Sequence, residues 1–268
     1  MQLNMVRTHM INRNQMVFLN QTTGLSGAAI FNAKQVAGLM LSACFLLFIY
    51  PRMGLDQTLI APYFDTVTRT FPLKHQVFLA QFMHLALKYC MIFIAIASLL
   101  AALQANIYAA HRASFFEFLK ALFKNSYFIA FVGMVLSTGA VSILKGSSIH
   151  GCPSDLSLYG GHLPLLKLFE HLPLGITAGH CFPGGHASGG FALMAFYFAF
   201  RDAKPKFAKA MLVLALVLGF AMGWAQMMRG EHFLSHNLWS AWLVWAVLYL
   251  QTLLWPSAVT HQESLQYA

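Results

Sequence analysis

Charge is what this sequence has least of. Only 9% of its 268 residues are Asp, Glu, Lys or Arg, and eight are acidic. So few charges cannot cover the surface of a water-soluble domain of this length. A soluble enzyme is therefore excluded. The first 33 residues lack the basic start, apolar stretch and small-residue cleavage site of a secretory signal. The first apolar run is accordingly read as an uncleaved anchor. Internal repeats are missing too. The formal charge of +9 comes without a basic face or a recognition motif, which excludes nucleic acid as the partner.

What fills the chain is apolar. Hydrophobic residues make up 58% of it, including 24 Phe. Runs of about 20 such residues are transmembrane helices. The pattern predicts an all-α, six-transmembrane-helix bundle, with helices near 34–50, 77–103, 127–144, 187–200, 207–226 and 238–255. Residues 1–33 form a polar N-terminal tail in which Gln15–Leu19 meets the membrane surface. Residues 34–256 form one membrane domain, and 257–268 a short C-terminal tail. With six crossings, the tails and the loops at 104–126 and 201–206 share one side. That side carries ten Lys and Arg against six on the other. The positive-inside rule puts both termini in the cytoplasm and the remaining loops in a periplasm or lumen, as in a bacterial inner-membrane protein.

The outward loop from Lys145 to Gly185 is dense in glycine and proline, which build turns rather than helices. Within it, 163–172 is predicted as a short interfacial helix. A loop this long reads as a lid or a lipid entry lip. Cys152 and Cys181 lie in it, and an oxidising compartment permits a disulfide between them. Such a bridge closes a loop of about 30 residues and is worth about 3–4 kcal/mol in the chain-entropy model.

Two histidine clusters flank the hairpin of the fourth and fifth helices, Pro183-Gly184-Gly185-His186 and Arg229-Gly230-Glu231-His232-Phe233-Leu234-Ser235-His236. Both emerge on the outward face. A phosphate ester needs cations around its non-bridging oxygens, an in-line nucleophile and an acid at the leaving oxygen. Lys145 and Arg229 supply the cations. Gly184 and Gly185 let the backbone approach an anion. Of His186 and His232, one can attack phosphorus while the other protonates the departing oxygen.

These motifs resemble the type 2 phosphatidic acid phosphatases, whose superfamily includes the vanadium haloperoxidases. That family carries Lys-x6-Arg-Pro, Pro-Ser-Gly-His and Ser-Arg-x5-His-x3-Asp. This chain reads Lys145-x6-Cys152-Pro153, Pro183-Gly184-Gly185-His186 and Ala225-Gln226-x5-His232-x3-His236. Order and spacing agree in all three. The resemblance implies that Lys145 binds phosphate, Gly185 and His186 border its oxygens, His186 is the general acid and His232 the nucleophile. It also implies a membrane-borne lipid phosphate as substrate and neither metal nor other cofactor. The departures are specific. Cys152 and Gln226 stand at the two arginine positions, Gly184 at the serine and His236 at the aspartate. Arg229, almost one helical turn beyond Gln226, is expected to supply the guanidinium, and His236 to orient His232.

Two rival classes remain. His232 and His236, four residues apart, would share a helix face and could bind zinc or iron, although Phe233 stands where a metalloprotease needs its glutamate. A non-catalytic relative is the other. His84, inside the second helix, reads as a packing residue, and Lys88 as snorkelling or facing a polar interior. His150, His162, His171 and His180 are secondary site candidates.

Overall fold

The computed structural model describes residues 27–110 and 114–255. Expectations for 1–26 and 257–268, membrane contact by Gln15–Leu19 among them, lie outside the described residues. Every regular element among those described is helical, as the patterning implies. Two compact units divide the chain at Phe45/Leu46. The described helix of the first is α1, Gly27–Cys44.

Among its described residues the second unit holds eight further α-helices: α2 Leu55–Ile60, α3 Leu87–Ala110, α4 Phe115–Lys124, α5 Ser126–Gly146, α6 Gly185–Phe191, α7 Met194–Phe200, α8 Pro205–Met228 and α9 Leu234–Leu254. A π-helical stretch, Phe78–Ala86, leads into α3. Five described segments are long and apolar enough to cross a bilayer: Asn32–Arg52, Phe78–Ile107, Ser126–Gly146, Pro205–Met228 and Leu234–Leu254. Their outward faces expose large apolar side chains such as Phe93, Val213, Val217 and Leu253, as lipid contact requires. The fourth predicted helix is instead two short ones, α6 and α7, with the chain turning at Ala192–Leu193. Most residues of this pair are buried and none is exposed, so the pair sits inside the bundle.

Small residues let it do so. A Cβ on Gly190 would lie 2.5 Å from the backbone nitrogen of Gly219, and one on Gly219 would lie 2.2 Å from the Phe191 ring. The backbones of α6 and α8 therefore meet at a distance that only glycine allows. Such contact stands in for the hydrophobic drive that lipid does not supply between helices.

α4 was not anticipated. Ser114 caps it, its side chain accepting from the backbone N–H of Glu117, and Lys124 closes its last turn, the placements expected of a helix start and end. Conversely, 163–172 is not a helix. Pro164 biases Leu163 away from helical backbone, and the segment keeps only a turn, with Glu170 N–H donating to Lys167 O (3.0 Å) and Lys167 N–H to Glu170 Oε2 (2.9 Å).

The loops around 60–71, 151–163 and 230–233 form a packed cap. Ile60, Phe71, Leu156, Tyr159, Leu163 and Phe233 make one buried cluster. Around it, Arg69 Nη2 donates to Ser157 O (3.0 Å), Lys74 Nζ to Ser154 Oγ (2.9 Å) and Ser154 N–H to Gly230 O (2.8 Å). The loops thereby hold the segment Gly230–Phe233 in place. Cys152 and Cys181 are joined in a disulfide with Cα atoms 5.1 Å apart, tying the cap to the chain entering α6.

Candidate functional site

Four chain segments converge at one end of the bundle. Lys145 sits in the last turn of α5. Gly184 and Gly185 open α6, with His186 in its first turn. Arg229 closes α8. His232 lies in the link to α9, whose first turn carries His236.

The second cluster is oriented on several sides. His232 is 1% exposed and His236 is buried as well. Their Nδ1 atoms are 3.3 Å apart, so one donates and the other accepts. The main-chain carbonyl of Cys181 faces both rings. With Nδ1 engaged, His232 has its Nε2 left for chemistry. Burial first, then the neighbouring His236, Lys145 and His186, hold the His232 pKa well below the usual histidine value. Its ring is therefore neutral at physiological pH.

Around His186 the field is cationic. A Cβ on Gly185 would lie 3.9 Å from Lys145 Nζ, so the ammonium is directly beside the backbone that opens α6. Lys145, Lys88 and Arg229 all act electrostatically on the His186 ring, and His186 in turn acts on His232. The carboxylate of Glu231 approaches, and it pairs with Lys74 at 3.5 Å. This excess of cations over carboxylates suits an anion.

Arg229 is held rather than loose. Its Nε donates to Lys74 O (2.9 Å) and its Nη1 to Gln226 Oε1 (3.0 Å). Gln226 is 1% exposed, and among the described residues its Nε2 has no hydrogen-bond partner. Arg229 and Gln226 thus form one unit at the position where the resemblance expects an arginine.

The glycine at 184 has a packing cause. Its N–H donates to His236 O (3.0 Å), and its carbonyl accepts from Ser240 Oγ (2.9 Å). A Cβ there would lie 2.8 Å from Asn237 Oδ1. Space that a serine would need is occupied by α9.

The structure also brings in residues that the sequence did not assign. His84 packs against His186, ring centroids 3.8 Å apart, so the residue read as a packing side chain packs on a member of the site. The π-helical geometry of Phe78–Ala86 is of the kind that often marks functional positions. An ionisable residue inside an apolar helix, with Lys88 one turn on, was the available signal. Asp56 of α2 accepts from Ser235 N–H (2.8 Å) and from Tyr50 Oη (2.7 Å), so it caps α9 from a distant segment. No local sequence signal could have revealed that. Cys152, by contrast, is in the disulfide and offers nothing to an anion. His162, His171 and His180 are exposed. His150 bonds Ser148 Oγ and Lys167 O and acts electrostatically on His236.

Comparison with curated proteins finds no match, and comparison with solved structures finds none either. A family model does match: the PAP2 superfamily, over residues 126–259. That range spans α5 to α9 and contains every motif residue named above. Members of this family are in general phosphatases acting on phosphoric esters. By this match, and by the lysine and histidines that the fold gathers, the chain belongs to the PAP2 superfamily.

Proposed function

We propose that the protein is an integral membrane phosphatase, or a phosphotransferase of the same chemistry, acting on a lipid-borne phosphate or diphosphate. The observation that carries this reading is the meeting of Lys145, Gly185 and His186 with the neutral, buried His232. Placing such a site at the mouth of a helix bundle favours a substrate that is itself in the membrane. Undecaprenyl pyrophosphate, phosphatidylglycerol phosphate, phosphatidic acid and a lipid A phosphate all satisfy the chemistry.

In this reading Lys145, Arg229 and the backbone at Gly184–Gly185 bind the phosphoryl oxygens. Gln226 Nε2 adds a donor beside Arg229. His232 Nε2 attacks phosphorus in line as the P–O bond to the lipid breaks. His186 gives its proton to the departing oxygen. His236 takes up the charge that develops on His232 by accepting from its Nδ1–H. Water then attacks the phosphohistidine, with His186 as base, and releases phosphate. An acceptor alcohol in place of water makes the reaction a transfer. His84, packed on His186, positions that ring.

The topology that fits has six crossings, with α6 and α7 together as the fourth, both termini cytoplasmic and the site periplasmic or lumenal. Phosphate release by purified protein across a panel of lipid phosphates tests the reading, with His232→Ala as control. Turnover that is lost in the variant supports it. Equal release by both proteins sinks it.

A further inference from the structure

The Nδ1 edge of His232 carries a second donor set. Cys181 Sγ lies 3.6 Å from His232 Nδ1, and His236 Nδ1 lies 3.3 Å from the same atom. All three ligand atoms fall within 4.8 Å of one another and all three residues are buried. A tetrahedral zinc ion, with Zn–N of about 2.0–2.1 Å and Zn–S of about 2.3 Å, needs N···N of about 3.3–3.4 Å and N···S of about 3.6 Å. The two spacings from His232 Nδ1 meet these values, and the third pair lies within 4.8 Å. Only the bond from Cys181 to Cys152 keeps the sulfur from acting as a thiolate. A cavity of about 540 Å³ reaches His236, lined also by Asp56, Phe182 and Phe233.

We infer that Cys181, His232 and His236 form an inhibitory site for a thiophilic divalent cation of the zinc class, and that the Cys152–Cys181 disulfide keeps it closed. A phosphine reductant opens it. The disulfide takes two electrons from phosphorus, water supplies the oxygen of the phosphine oxide, and two thiols form. The Cys181 thiol then loses its proton to solvent as its sulfur binds the ion. Metal at His232 Nδ1 uses the lone pair there, so the ring proton resides on Nε2. The nitrogen that would attack phosphorus no longer has a free lone pair. Ion binding stands independently of the proposed phosphatase chemistry; its inhibitory effect rests on that reading.

Cobalt(II), a spectroscopic stand-in for zinc, separates the two. It is added to purified oxidised protein, to phosphine-reduced protein and to Cys152→Ser, which frees Cys181 without reductant. The reduced protein and Cys152→Ser are expected to show a near-ultraviolet thiolate-to-cobalt band, displaced by zinc, at roughly one ion per chain. Oxidised protein, Cys152→Ser/Cys181→Ser and Cys152→Ser/His236→Ala are expected to lack it. In the lipid phosphatase assay, zinc should inhibit the reduced protein and Cys152→Ser at least tenfold, reversibly with chelator, and leave the oxidised protein unaffected. A sulfur–cobalt band without lipid phosphatase activity in any preparation would uphold the site while the phosphatase reading fails. Absence of the band from monodisperse reduced protein and from Cys152→Ser, or equal zinc inhibition of oxidised and reduced enzyme, overturns the proposal.

Discussion

Restoring the family's serine should damage this protein. In Gly184→Ser the new Cβ arrives 2.8 Å from Asn237 Oδ1 and 3.3 Å from His236 O. Asn237 cannot retreat freely, because it already lies against Gly223, where a Cβ would sit 2.6–2.8 Å from its side-chain atoms. Two effects then compete. Among the described residues Asn237 Oδ1 has no hydrogen-bond partner, and it is buried. A serine hydroxyl that reached it would return about 0.5–1.5 kcal/mol. Overpacking a closed site costs about 1–3 kcal/mol. Strain therefore outweighs the new hydrogen bond, and relieving it moves the start of α6, which carries His186. At about 2–4 °C per kcal/mol, the thermal midpoint in detergent should fall by several degrees, and turnover should fall with it. Gly184→Ala has the strain without the hydroxyl and should lose at least as much. Adding Asn237→Ala to Gly184→Ser should recover part of the stability. A Gly184→Ser protein as stable and as active as the parent would refute the packing argument.

Arg229→Ala should raise KM and lower kcat for lipid phosphate if, as proposed, the guanidinium holds the phosphoryl group throughout; unchanged kinetics would remove it from the site. Asp56→Ala deletes the cap of α9 and should cost about 0.5–2 kcal/mol in thermal unfolding, with kcat falling because His236 shares that first turn. Reduction of the disulfide should lower the unfolding midpoint by the equivalent of about 3–4 kcal/mol for its separation of 29 residues. For His232 the folded pKa lies below the unfolded value of about 6.5. As pH falls below that value the unfolded chain takes up a proton that the folded one refuses, so stability drops. His232→Gln should make this acid-side slope shallower, which unfolding midpoints between neutral and acid pH will read.

The sequence disclosed those parts of the fold that rest on local pattern. Runs such as 127–144 and 207–226 mark membrane helices, and the structure extends them by one or two residues at each end. The fourth run is divided into α6 and α7 and is largely buried by protein; burial in protein and burial in lipid look alike in composition. Pro164 stands inside the mistaken helix at 163–172 and Pro173 follows it, and their effect on preceding backbone outweighed its leucines. In the site, spacing alone brought Lys145, His186, His232 and His236 forward. It could not show that Asp56 anchors α9 or that His84 lies on His186, since both contacts join segments about a hundred residues or more apart. Nor could it explain Gly184, whose reason is the side chain of Asn237.

If His232 carries the phosphoryl group, the covalent intermediate can be trapped. The enzyme is mixed with a lipid substrate radiolabelled at its terminal phosphate, quenched rapidly and mapped by peptide. An acid-labile, alkali-stable label is expected on the peptide containing His232, absent from His232→Ala and longer-lived in His186→Ala with a good leaving group. Label on another residue, or turnover by His232→Ala at the parent rate, would show that the phosphoryl group travels by a different route.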